Sequence, residues 1–477
     1  MYRKKDKNQL SIYNFILPFS GTLHADNRWV KMADIMPWDL IEEIYAKSFS
    51  EERADGRPPI SARIAFGALY IKENENTTDE RTVEHIAENP YMQLFLGLEE
   101  YRPEPLFDAS MMTWFRKRFS AEDISKINEE LYRRMHPQED KPPEEDPPED
   151  NNNNKGTMVL DATVGPADIR YPTDLSLLNE CRENTENMID MLWEHSSRKG
   201  HKTAYSRVKA HKEYLSIQKQ RNPRKKARKQ ATGLQLSYVE KNLETLDKLF
   251  NEINNDVFRD RDYVRLTTIR EVAAQQRYHF ENPTLSIPNR IVNLRQPHVR
   301  PIVRGKAGAA VEFGQKMAFS VVDGFTFIDE QRWNNFSEGL TLQASAEKYR
   351  QRHGVYPTAI LADKTYRNRD NLAFCKTHGI RLSGPRLGRP KITELEADKE
   401  QAYIDSCSRN IVESRNGIIK RRYGLSRIMA TLPHTALTEA AMNVLVMNVA
   451  HLCRVLLRLL ESRLKPFNMH SALVLQR

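Results

Sequence analysis

The chain has 477 residues, 39% hydrophobic and 29% charged, which suits two to four domains with a large wet surface. Its net charge is +9, with 73 Lys+Arg against 64 Asp+Glu, although residues 136–156 alone carry seven acids and two lysines, so the remainder favours a polyanionic partner. Cys181, Cys375, Cys407 and Cys453 lie far apart with no CxxC pair, which argues against a disulfide framework or a structural zinc site and fits a reducing cytosol.

In chain order, MYRKKDKNQL has no apolar run behind its charges, so no signal peptide is expected. Residues 38–135 read as helical. SARIAFGALYIKE has apolar residues at helical spacing, TTDERTVEHIAEN starts on threonines that can cap, and SAEDISKINEELYRRM opens with a capping-box pattern. DASMMTWFRKRFS predicts a short helix with Arg116, Lys117 and Arg118 beside Trp114 and Phe115, a basic aromatic element suited to DNA or to a plain solvated face. Residues 136–156, rich in Pro, like charges and Asn, predict a disordered linker.

Beyond the linker the periodicity changes. TMVLDATVG (157–165) and TAILADKTY (358–366) predict buried strands, and VEFGQKMAFSVVDGFTFIDE predicts a hairpin turning at Asp323-Gly324. Between the first strand and the hairpin, about 174–300, lies a helical insertion. Its residues 198–230 hold thirteen Lys/Arg and one acid, including Arg224, Lys225, Lys226, Arg228 and Lys229, and predict contact with a phosphate backbone. GLTLQASAEKYRQRHG predicts a helix closed by Gly354, and NRDNLAFCKTHG and IVESRNGIIKRRYG predict two more. Ala441 to Leu460, interrupted by Asn443, Asn448, His451, Arg454 and Arg458, reads as a buried amphipathic helix and not a membrane span. Strands, hairpin and helices together predict a mixed α/β domain.

Three acids stand where local structure alone does not ask for them: Asp161 inside a buried strand, Asp363 at the end of another, and Glu413 in a basic helix. Each has an ordinary alternative, since a strand-end aspartate can cap a turn and Arg409–Glu413 can be a surface ion pair. Together they form an all-oxygen donor set that suits Mg²⁺ or Mn²⁺ and two-metal chemistry at phosphorus. Arg409, Glu413, Asn416 and Lys420 fall on one helical stripe, while Lys364, Arg421, Arg422 and Arg427 extend the basic surface.

These segments resemble insertion-sequence DDE transposases of the four/five superfamily. RPPISARIAFGALYIKE, TVEHIAENPYMQLFLGL and FDASMMTWFRKRF are similar to the family's N-terminal helical domain. LDATVGPADIRYPTDLSLLNE and ADKTYRNRDNLAFCKTHGIRLSGPRLGRP resemble its two aspartate segments. RNIVESRNGIIKRRYGLSRIMA has the Arg-x3-Glu-x6-Lys spacing of its glutamate signature. The resemblance implies an RNase H-like catalytic core over 157–465 with the helical insertion. It also implies an all-helical DNA-end-binding domain over 1–135, and 466–477 is left as a tail. It implies Asp161, Asp363 and Glu413 as a triad holding two Mg²⁺, with Arg409 and Lys420 as supporting residues. The implied partners are double-stranded DNA at transposon ends and target, within a homo-oligomer, with no membrane and no small-molecule cofactor. The implied reaction is cleavage at element ends followed by strand transfer of a 3′-hydroxyl. The signature's tyrosine three residues before the arginine is Ser406 here, and the aromatic three residues after the glutamate is Asn416. A domesticated nuclease on the same core and a catalytically lapsed DNA-binding protein are the alternative readings.

Overall fold

The computed structural model describes residues 11–17, 21–49, 59–136, 154–196, 207–253, 257–306, 309–384 and 395–474. The expected linker at 136–156 lies outside these residues for most of its length, as does the end of the expected tail. The chain divides into two compact units. One comprises Met1–Pro166, Lys316–Arg332 and Phe336–Arg477, and the other Ala167–Gln315 and Trp333–Asn335.

Among the described residues the first unit opens with seven helices: α1 (Arg28–Ile35), α2 (Trp38–Lys47), α3 (Ala62–Glu75), α4 (Asp79–Glu88), α5 (Pro90–Phe95), α6 (Met111–Arg118) and α7 (Ala121–Met135). Short polar side chains start them where the sequence places such residues. Ser61 caps α3, Thr78 caps α4, and Ser120 with Asp123 forms the expected capping box on α7. Helix α1 lies ahead of the stretch expected to be helical, capped by Asn27 and burying Trp29, Val30, Met32 and Ala33.

Among the described residues the strands are β1 (Thr157–Pro166), β2 (Arg300–Lys306), β3 (Ala309–Val322), β4 (Phe325–Arg332), β5 (Ala359–Leu361) and β6 (Arg381–Leu382). They form one mixed sheet in the order β2-β3-β1-β5-β6, with β4 also paired to β3. The hairpin turns where expected. Asp323 at φ 49° and Gly324 at φ 78° make a two-residue loop of left-handed residues, which matches the twist of β3 and β4. The strand expected over 358–366 is shorter, because Asp363 caps a 3-10 turn at Lys364–Tyr366 through Lys364 N–H at 2.7 Å.

Four helices of the second unit fill the expected insertion: α8 (Asp174–Glu194), α9 (Arg207–Gln218), α10 (Lys225–Phe250) and α11 (Asp260–Glu281). They have their own core of Leu178, Ile189, Leu236, Val239, Leu246 and Ile269. Arg182 is fully buried there, paired with Glu186 at 2.6 Å and Asn179 at 2.9 Å.

The first unit is completed by α12 (Leu342–His353), α13 (Arg369–Thr377), α14 (Leu395–Arg422) and α15 (Pro433–Val474). By length and composition Pro433–Leu456 could cross a membrane, yet 78% of its most apolar window is buried within the protein. Residues 438–449 are buried on every side, so the expected amphipathic face is missing over those turns. Asn448 is tolerated there because it is satisfied. Its Nδ2 donates to Asn128 Oδ1 and Thr326 O, and its Oδ1 accepts from Thr326 N–H, which ties α15 to α7 and β4.

Candidate active site

Two of the three acids follow a pair of neighbouring strands. β1 and β5 run parallel with Thr157 opposite Ala359, Met158 opposite Ile360 and Val159 opposite Leu361. Asp161 and Asp363 each lie two residues beyond the last of these pairs. Neighbouring strands lie about 4.8 Å apart. Asp161 is half-buried, whereas Asp363, just past the end of β5, is exposed.

Helix α14 crosses these strands on one face. Asp405, Arg409, Val412 and Asn416 recur at helical spacing, and each meets a different part of the sheet. Asp405, 5% exposed, accepts both arms of Arg381 on β6 at 2.6 and 2.9 Å. Arg409 lies 4.0 Å from the Asp363 carboxylate. Val412 packs with Val159, Val321, Ala359 and Leu361. Asn416 Nδ2 donates to Asp161 Oδ2 at 2.7 Å.

Glu413 is one residue on from Val412, at the flank of this contact face, and its side chain is exposed. It stands between the position that meets Asp363 and the position that meets Asp161. The expected stripe of Arg409, Glu413, Asn416 and Lys420 is therefore rotated in the structure, with Glu413 at its rim. Among the described residues no three His, Cys, Asp or Glu side chains are gathered closely enough to hold an ion. The expected triad is thus linked through one helix, with Arg409 at Asp363 and Asn416 at Asp161 on either side of Glu413, and is not a closed ligand cage. The donor chemistry still fits a hard divalent ion, since Asp161 and Asp363 offer only oxygens from adjacent strands.

Tyr366, buried within electrostatic reach of Asp161, was not expected at the site. Burial pushes its hydroxyl well up, and the charges of Glu338 and Asp161 add to that, so it stays protonated. Neither its role nor the Arg381–Asp405 pair is written in local sequence. Asn416 was visible as a departure from the signature, but its contact with Asp161 was not.

The expected basic residues divide by what they touch. Lys364, Arg421 and Arg422 are exposed around the site, and Lys420 is half-buried. Arg224, Lys225, Lys226, Arg228 and Lys229 are all exposed at the start of α10. On α6, Arg116 is paired with Asp79, and Arg118 donates to Ser48 O while lying 4.0 Å over the Phe49 ring. These two, expected to contact DNA, thus have partners within the protein. Lys117 is exposed and rests 4.5 Å over Trp114.

Two family models match the chain, one described as a transposase DDE domain over residues 360–450 and one as a transposase domain (DUF772) over residues 19–118. A Rhizobium meliloti protein, described as "Uncharacterized protein ORF8 in nfe locus", is 30% identical over 149 residues. That match covers 31% of this chain and 66% of the relative, slightly under two thirds of its length. No solved structure matches. The chain thus carries a transposase domain over α1–α6 and a transposase DDE domain that includes Asp363 and Glu413, and these matches support an insertion-sequence DDE transposase.

Proposed function

We propose that the protein is a metal-dependent DNA transposase that cleaves at the ends of its element and transfers the freed 3′-hydroxyl into target DNA, acting as an oligomer on that DNA. The observation that supports this reading is that one helix, α14, reaches both aspartates, Asp363 through Arg409 and Asp161 through Asn416, with Glu413 between those two positions. An RNase H-like core is supported by the sheet, where β1 lies between the strand of an antiparallel hairpin and a parallel pair. The helices α8–α11 are then its insertion, and the segment 1–135 its DNA-end-binding domain.

Asp161, Asp363 and Glu413 would hold divalent ions, Mg²⁺ by preference for hard oxygen donors and Mn²⁺ as a substitute. Two such ions, when bound, supply Lewis-acid stabilisation of charge at phosphorus. The protein's own part is to aim and to hold. Arg409 faces Asp363 and restrains it, while Lys364, Lys420, Arg421 and Arg422 meet backbone phosphates. Arg224, Lys225, Lys226, Arg228 and Lys229 add a second phosphate-binding stretch. Lysines in the first turn of α10 sit at the positive end of the helix dipole, an arrangement that a bound polyanion relieves.

The test is incubation with Mg²⁺ and DNA bearing the element's ends, mapping cut and joined products. Asp161→Ala, Asp363→Ala and Glu413→Ala should each lower cleavage by about a thousandfold or more while DNA binding persists. Parent-like cleavage by Asp363→Ala sinks the assignment. Cuts without joined products would indicate a nuclease on this core, and binding without cuts a lapsed enzyme.

A further inference from the structure

Asn416 is outside the proposed triad, yet it has a direct hydrogen bond to Asp161. The direction of that bond is set by chemistry. An ionised carboxylate only accepts, so the amide must present its nitrogen to Asp161 Oδ2 and turn its oxygen away. That oxygen, Asn416 Oδ1, is buried and has no hydrogen-bond partner among the described residues. Buried polar atoms are seldom left so, and an orphaned acceptor points to a donor that the protein chain does not itself supply. The residue is also one of the two places where the chain departs from the glutamate signature. It lies on the face of α14 that meets the sheet, above β1 and one turn along from Val412. A phenylalanine ring there could pack but could not donate to Asp161.

We propose that Asn416 is a positioning residue for a divalent cation at Asp161. Its amide N–H holds one carboxylate oxygen in place before the cation arrives, and its Oδ1 accepts from a water carried in the cation's hydration shell. Small hard cations keep several of their waters when protein-bound, so such a donor accompanies them. Groups that hydrogen-bond a metal ligand fix its orientation without touching the metal, and their loss weakens binding by about 10–100-fold. This inference rests on the reading of Asp161 as a metal ligand.

The experiment is a Mn²⁺ titration of the full-length, DNA-free protein, following free Mn²⁺ by electron paramagnetic resonance. Asn416→Leu, similar in size but without a donor, should weaken Mn²⁺ binding by about 10–100-fold. Asn416→Gln keeps the amide and should recover most of that loss. Melting temperatures of the metal-free proteins should agree, which separates positioning from stability. Parent-like Mn²⁺ affinity in Asn416→Leu overturns the proposal, as does an equal loss in the Leu and Gln variants. Asp161→Ala keeps the two levels apart. Mn²⁺ binding that survives it removes the metal-site reading itself, whereas binding lost there and kept in Asn416→Leu removes only the role of Asn416.

Discussion

Helix α6 and the first turns of α10 carry comparable basic clusters, Arg116-Lys117-Arg118 in one and Lys225-Lys226 with Arg228-Lys229 in the other. On α6 two of the three charges point to partners within the protein, Asp79 for Arg116 and Ser48 O with the Phe49 ring for Arg118. On α10 all four are exposed, and Arg224 just before the helix is exposed as well. A guanidinium with an internal carboxylate partner has already traded its water for that contact. One still in water has its charge available to a phosphate. Composition cannot separate these cases, since both stretches read as basic helices.

The sharpest way to break the contrast is DNA affinity against salt. Each phosphate neutralised adds about 0.9 to the slope of log affinity against log salt. Replacing Arg224, Lys225, Lys226, Arg228 and Lys229 by Gln should lower that slope by up to about 4–5. Between about 50 and 200 mM salt the parent would then lose two to three orders of magnitude more affinity than the variant. An unchanged slope would show that α10 does not touch DNA, and the two helices would differ only in packing.

The opposite result is expected for α6. Arg116→Met removes the half-buried partner of Asp79 and should destabilise the fold by about 1.5–3 kcal/mol, the usual worth of a hydrogen bond to a charged group. Chemical denaturation measures this, and the salt slope of DNA binding by the folded variant should stay where the parent's is. A lowered slope with unchanged stability would move Arg116 back to the DNA surface.

The same division runs through what the sequence made legible. Features encoded within a few residues were read correctly, among them the Ser120 capping box, the Asp323-Gly324 turn, the Gly354 cap and the helical nature of α14. Asp363 was seen both as a candidate ligand and as a possible cap, and it does cap the turn after β5. Contacts between residues far apart in the chain were not legible. Nothing near Asn416 announces Asp161, 255 residues away, and nothing near Asp405 announces Arg381. The rotation of α14 that leaves Glu413 at the rim follows from these long-range contacts together with Val412, not from helical periodicity, which gives the stripe but not its bearing.

The reason Arg116 faces inward gives the last and smallest effect. Beside it lie the buried acids Glu73 and Glu439, at 5% and 6% exposure, with Lys72 bonded to Glu73 at 2.7 Å. Burial pushes the Glu73 carboxyl up to about 7, the charge of Lys72 pulls the other way, Glu439 adds to the rise, and Arg116 opposes it. The folded pKa is thus above the unfolded one. Glu73 therefore contributes stability that is fully present below the unfolded pKa, near 4.5, and is lost as pH rises through about 7. Removing Arg116 takes away one of the cations that ease this ionisation, so the loss on raising pH must steepen. The destabilisation by Arg116→Met should accordingly be larger at about pH 8 than at about pH 5, by roughly 1 kcal/mol or less, since one pKa unit is worth about 1.4 kcal/mol. Adding Glu73→Gln should erase that pH dependence. If Arg116→Met costs the same at both pH values, Arg116 is answering Asp79 alone, and the buried acids have no part in turning α6 away from solvent.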